Sequence, residues 1–138
     1  MSTAPAAMQT TQQTMEKYVD ALLSFGDYGA YLADDVALTF MGTDMRIEGR
    51  EGVQQFIDLA HQHAFETDIK VKNAAYGENT AILEAEFVGK HIGEFQGVPA
   101  SGRQVNVPYA AAYKLDGEKV TELRLYFPLD LLMRQISG

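Results

Sequence analysis

Apolar residues recur along this chain with two different periods, and the change from one to the other divides it. Met15, Tyr18, Val19, Leu22 and Leu23 share one helical face, and Gly26 is placed to stop that helix. Asp27 is placed to cap a short second helix over residues 28–32. Residues 36–42, VALTFMG, alternate in the manner of a strand, and MRIEG, 45–49, is a short partner for it. Val53, Phe56, Ile57, Ala60 and Ala64 then form the stripe of another helix. Beyond it the period falls to two, which predicts strands over 67–75, 80–91, 104–115 and 119–127, with reversals at Glu78-Asn79 and Asp116-Gly117. After Pro128, the residues Leu129, Leu132, Met133 and Ile136 predict a closing helix. Helices first and an antiparallel meander later define an α+β domain, helices packed on one face of a curved sheet.

Alternation also sorts the strand residues into faces. Ala81, Leu83, Ala85, Phe87 and His91 share one side of the second long strand, with Ile82, Glu84, Glu86 and Lys90 on the other. Val105, Val107, Tyr109, Ala111 and Tyr113 share a side of the third, and Leu123, Leu125 and Phe127 of the last. These uncharged sets face the helices. The expected inward polar groups are Tyr18, Asn73 (in phase with Thr67, Ile69 and Val71), His91, Tyr109 and Tyr113, and no inward strand position carries a carboxylate. The opposite face holds Ile82, Pro108, Ala110, Ala112 and Tyr126 among its charges, a patch that suits either a homodimer contact or ordinary solvation.

Composition narrows the function classes. The 138 residues suit one domain, with residues 1–13 read as a flexible, uncharged tail and 14–138 as the folded unit. A net charge of −8 without a basic cluster disfavours nucleic acid. The absence of cysteine excludes disulfides and thiolate chemistry. No apolar run spans a membrane, and no secretory pattern opens the chain, so a cytoplasmic protein is expected. His61 and His63, two apart on a helix, point to different faces and make no i, i+4 metal pair; they are expected simply near that helix's C-terminus. Asp34-Asp35 reads as a solvated turn, and Ser101 has no histidine beside it in a nucleophile motif. No cofactor or metal is expected.

The costliest stretch is HIGEFQGVPASGR, residues 91–103, with three glycines and a proline between two core strands. Within GKHIGEFQGVPASGRQV, residues 89–105, every fixed position of the pattern G-x-H-x-G-x-F-x-G-x-P-x-x-G-R-x-V is present. On that motif, on YVDALLSFGDYGAYLADDVALTF (18–40) and on the ending LYFPLDLLMRQI, the chain resembles the SnoaL-like polyketide-cyclase branch of the nuclear-transport-factor-two-like superfamily. The 18–40 segment is also similar to ketosteroid isomerases. The resemblance implies a cone-shaped α+β barrel, a strongly curved antiparallel or mixed sheet wrapped around helices, with a deep apolar pocket and residues 92–103 at its rim.

It also implies acids at three positions that are apolar here: Phe40, Ala111 and Leu125. What it leaves for catalysis is Tyr18 and His91, a phenol donor and an imidazole base for cofactor-free cyclase or isomerase chemistry. Phe40, Asn73, Phe87, Tyr109, Ala111, Tyr113, Leu125 and Phe127 are then the expected ligand contacts, and the ligand a small hydrophobic molecule of polyketide or terpenoid type. A non-catalytic binding or assembly module that has lost the family's carboxylates is the other reading.

Overall fold

The computed structural model describes residues 6–138. Helix α1 runs over Ala6–Leu23, a short 3-10 turn over Tyr28–Tyr31, and strand β1 over Leu32–Phe40. Strand β2 is Arg46–Glu48, and α2, Arg50–Asp58, continues into one π-helical turn, Leu59–His63. Then come β3 (Phe65–Thr67), β4 (Lys70–Gly77), β5 (Thr80–His91), β6 (Gln104–Asp116), β7 (Lys119–Tyr126) and α3 (Leu129–Ser137). No helix among the described residues is long and apolar enough to cross a membrane.

The sheet order is β2-β1-β7-β6-β5, with β3 and β4 both on the free edge of β5. All pairings are antiparallel except β1 with β7, which sets Phe40 beside Leu125. The sheet is therefore mixed and strongly curled, an α+β half-barrel whose concave side holds the helices. Burial along β5 alternates through the whole strand, as its sequence pattern predicts. Met15 and Tyr18 of α1 pack with Val36, Leu38, Leu83 and Tyr113 at one end of the concavity. At the other end Phe65, Phe87, Phe95, Val107, Leu132 and Ile136 form a second cluster. Helix α3 is pinned there by Gln135, whose side chain accepts from the Asn106 amide at 2.8 Å and donates to its carbonyl at 3.0 Å.

Five local expectations are corrected. Residues 6–13 are helical rather than a tail, since α1 begins at Ala6; residues 1–5 lie outside the described residues. Thr11 explains the extension, because its buried hydroxyl donates to the Ala7 carbonyl and accepts the Asn79 amide at 3.0 Å, tying the first turns to the β4–β5 reversal. Asp27 makes no capping bond, and β1 starts at Leu32, so Asp34 and Asp35 lie within that strand, Asp34 paired with Arg50 at 3.1 Å. The single strand expected over 67–75 is two pieces, with a register shift between Val71 and Asn73.

The fifth concerns the end of α1. The left-handed residue is Phe25 (φ 59°), not Gly26, and the Gly26 and Phe25 amides donate back to the carbonyls of Ala21 and Leu22. That is a Schellman ending with phenylalanine where glycine is usual, at a conformational cost of about 1–2 kcal/mol.

Candidate active site

The concave side encloses a cavity of about 70 Å³ with an almost wholly apolar wall. Strand β1 supplies Leu38 and Phe40, β5 Phe87, β6 Tyr109 and Tyr113, and β7 Leu123 and Leu125. Phe127, Leu129 and Leu132 close it from the C-terminal side, and Phe56, Ile57, Ala60 and His61 from α2 and its π turn. Phenylalanine rings fill much of the cup edge to face: Phe40 lies 5.6 Å from Phe56, and Phe65 lies 5.2 Å from Phe87 and 5.3 Å from Phe95. Pockets for drug-sized ligands are usually ~300–1,000 Å³, so this one is small.

Of the expected contacts, Phe40, Phe87, Tyr109, Tyr113, Leu125, Phe127 and Tyr18 lie on the cavity wall. Ala111 faces inward and is buried, but stands behind the wall. Asn73 is a correction. The register shift in β4 turns it to the outer face, opposite Glu84, whose carboxylate accepts its amide at 3.1 Å.

His91 is the second correction. It is fully buried and inward, as its parity predicts, but it sits beyond Phe65, with the two rings 5.2 Å apart and tilted by 30°, and it does not line the cavity. Its Nδ1 accepts the Ser101 hydroxyl at 2.8 Å and the Ser101 amide at 3.2 Å, and its Nε2 has no hydrogen-bond partner among the described residues. Because an amide can only donate, Nδ1 is the acceptor and a neutral ring carries its proton on Nε2. Ser101 thus does have a histidine beside it, brought there by the loop rather than by sequence proximity. The backbone of His91 closes the same clamp, bonded to Arg103 and Gly102.

The clamped loop serves the cavity through Phe95. Gln96 and Gly97, both left-handed (φ 49° and 81°), form a two-residue turn of the hairpin type between Phe95 and Val98. The turn drives the Phe95 ring inward to 3% exposure. Gly93 is required for a different reason: any Cβ there would collide with the His63 carbonyl. The glycines and the histidine of the motif hold a plug in place.

Sequence reasoning passed over His61, the histidine on the cavity wall. The signal was present, because His61 lies four residues after Ile57 on the buried stripe, and the π turn widens the helix there. Its ring stands edge-on to Phe87 at 6.2 Å. Burial lowers its pKa to about 4, opposed by the nearby Asp58 charge. His61 is therefore neutral at pH 7. Between its ordinary value near 6.5 and about 4, the unfolded chain takes up a proton that the folded protein refuses. Stability is accordingly full above pH 6.5 and falls by about 3 kcal/mol on reaching pH 4. Urea midpoints measured across that range are expected to decline, with a shallower decline for His61→Leu.

Three phenols face the same cavity. Burial pushes Tyr109 up to about 12, and burial with the neighbouring phenols pushes Tyr18 and Tyr113 well above the usual tyrosine value. All three remain protonated donors, and none of their hydroxyls has a hydrogen-bond partner among the described residues, unlike Tyr28, which donates to Asp58 at 2.6 Å. No Asp or Glu lines the cavity.

The fold and site together define an α+β half-barrel over a small apolar cavity, with one imidazole and three phenols as its polar groups. The SnoaL-like polyketide cyclase family model matches residues 12–136, and the chain belongs to that family. Comparison with the curated proteins finds no match. Among solved structures, the chain is similar to a candidate SnoaL-like polyketide cyclase from Jannaschia sp. CCS1. The identity is 22% and the TM-score 0.88, covering 100% of this chain and 99% of that one. An LEH-like epoxide hydrolase of M. tuberculosis is similar at 16% identity and TM-score 0.73, covering 94% and 91%. AclR, a candidate hydroxylase of Streptomyces galilaeus, is similar at 18% and 0.76, covering 94% and 86%. At these identities the likeness is one of fold, and three different activities share it.

Proposed function

We propose that the protein is a cofactor-free acid–base enzyme that takes a small hydrophobic carbonyl compound into the aromatic cavity and moves a proton beside the carbonyl. One observation carries this reading: a neutral histidine and three unpartnered phenols share a cavity with no other polar side chain. These hydroxyls are free to donate, and a bound carbonyl oxygen is an acceptor for them. His61 takes the α-proton, and the electron pair moves into the carbonyl. The resulting enolate oxygen accepts hydrogen bonds from Tyr18 or its neighbours. Return of the proton to another carbon is isomerisation; attack of the enolate on a second carbonyl is cyclisation.

The apolar residues at Phe40, Ala111 and Leu125 favour the alternative, a binding module without turnover. Deuterium uptake from D₂O at the α-carbon of a panel of cyclic ketones separates the two. Uptake above the buffer rate that depends on His61 supports the enzyme. No uptake from any ketone, or uptake indifferent to His61→Ala, leaves the binding module.

We also propose that the outer sheet face pairs two copies. Ile82 and Tyr126 are each half exposed there, around the small Ala110 and Ala112, and Arg124 Nε is buried without a partner among the described residues. Glu84 and Arg124 give the face complementary charges for a twofold contact. Sedimentation is expected to show a dimer that Ile82→Glu converts to monomer, while monomer alone at high concentration ends the idea.

A further inference from the structure

A second chamber of about 120 Å³ lies beside the aromatic cavity, and Leu22 and His61 line both. These two side chains form the partition. The His61 ring makes no hydrogen bond among the described residues, whereas its backbone is held, its carbonyl accepting the Thr67 hydroxyl at 2.8 Å. The ring is held by packing, edge-on to Phe87 at 6.2 Å, and not by a hydrogen bond among the described residues. The outer chamber is walled by Leu23, Phe25, Thr67, Asp68 and Ile69, a mixed polar and apolar lining, and Phe25 at its edge is 52% exposed. Phe25 is also the left-handed residue that ends α1. A strained, solvent-facing aromatic at the mouth of a chamber marks a place where a side chain does something other than stabilise the fold.

We infer that ligand reaches the inner cavity through this chamber, and that the site accepts a one-ring, hydroxyl- or carbonyl-bearing compound that displaces the partition and spans both spaces. Size decides the class. An apolar cavity of ~150 Å³ takes one benzene; the inner cavity at about 70 Å³ does not reach that size, and the two chambers joined pass it. The ring occupies the aromatic side, its oxygen meets His61, and Phe25 covers the outer end. This inference rests on the proposed function for its ligand chemistry and adds the route and the size.

The probe is 4-methylphenol, an unreactive mimic of an enol, followed by calorimetry and by amide shifts of Leu22, Phe25 and Thr67. It is expected to bind roughly fivefold more tightly than 1,4-dimethylbenzene, the worth of one net hydrogen bond. Leu22→Trp, which fills the partition, and Phe25→Gly, which removes the cover, are each expected to weaken it by about tenfold. Phe25→Gly is expected to raise the thermal midpoint at the same time, because glycine relieves the left-handed residue, so its lost affinity is not unfolding. Full affinity in either variant overturns the two-chamber route and leaves the proposed function standing. Failure of the probe to bind the wild type overturns both.

Discussion

His61→Ala is expected to lower ketone α-proton exchange by about 10²–10⁴-fold, the usual worth of a positioned general base, with the fold unchanged. The effect is large because nothing else on the cavity wall accepts a proton: the phenols stay protonated, and no carboxylate is present. The pH profile carries the sharper signature. A solvent-exposed histidine loses its basic form below about pH 6.5, whereas burial keeps His61 neutral down to about 4. Exchange by the wild type is therefore expected to be level from pH 7 to pH 5, measured by NMR at matched buffer rates. A profile breaking near 6.5 points to a different base. Tyr18→Phe is expected to have a smaller effect, since Tyr109 and Tyr113 face the same space.

Phe65→Ala is expected to destabilise the protein by about 3–5 kcal/mol in urea unfolding. Phe65 is fully buried, with the rings of Phe87, Phe95 and His91 about it at 5.2 Å, 5.3 Å and 5.2 Å. It is also the anchor of β3, a strand of three residues that pairs only with the end of β5. The clamp around His91 also loses the ring that backs it. Phe65→Leu, which keeps most of the volume, is expected to cost well under half as much.

Period-two alternation was sufficient to identify the faces of β5, β6 and β7, because those strands pair in unbroken register through most of their length. Hence Tyr109, Tyr113 and Leu125 were legible as inward residues from parity, and Phe40 from the family resemblance. Parity failed at Asn73 because a register shift is a tertiary event that leaves no mark in a stretch as plain as KVKNAAYG. It also misled at His91, where the face was right but depth along the strand placed the ring beyond Phe65. His61 was missed because two histidines at i and i+2 invite comparison as a metal pair, when one of them belonged to the hydrophobic stripe. The role of the glycine-rich loop was hidden for a different reason. Its purpose lies in one phenylalanine delivered to the interior, and a pattern of glycines specifies turns without saying what they carry.

The parallel pairing of β1 with β7 has a consequence for how the molecule comes together. The main partner of β1 comes more than eighty residues later in sequence, and until residues 119–126 arrive β1 has only three-residue β2 to lie against. A nascent chain therefore holds the meander β4–β5–β6 by local reversals while one wall of the cup stands ajar. Closing the cup therefore depends on a contact of long sequence separation, the kind that slows folding.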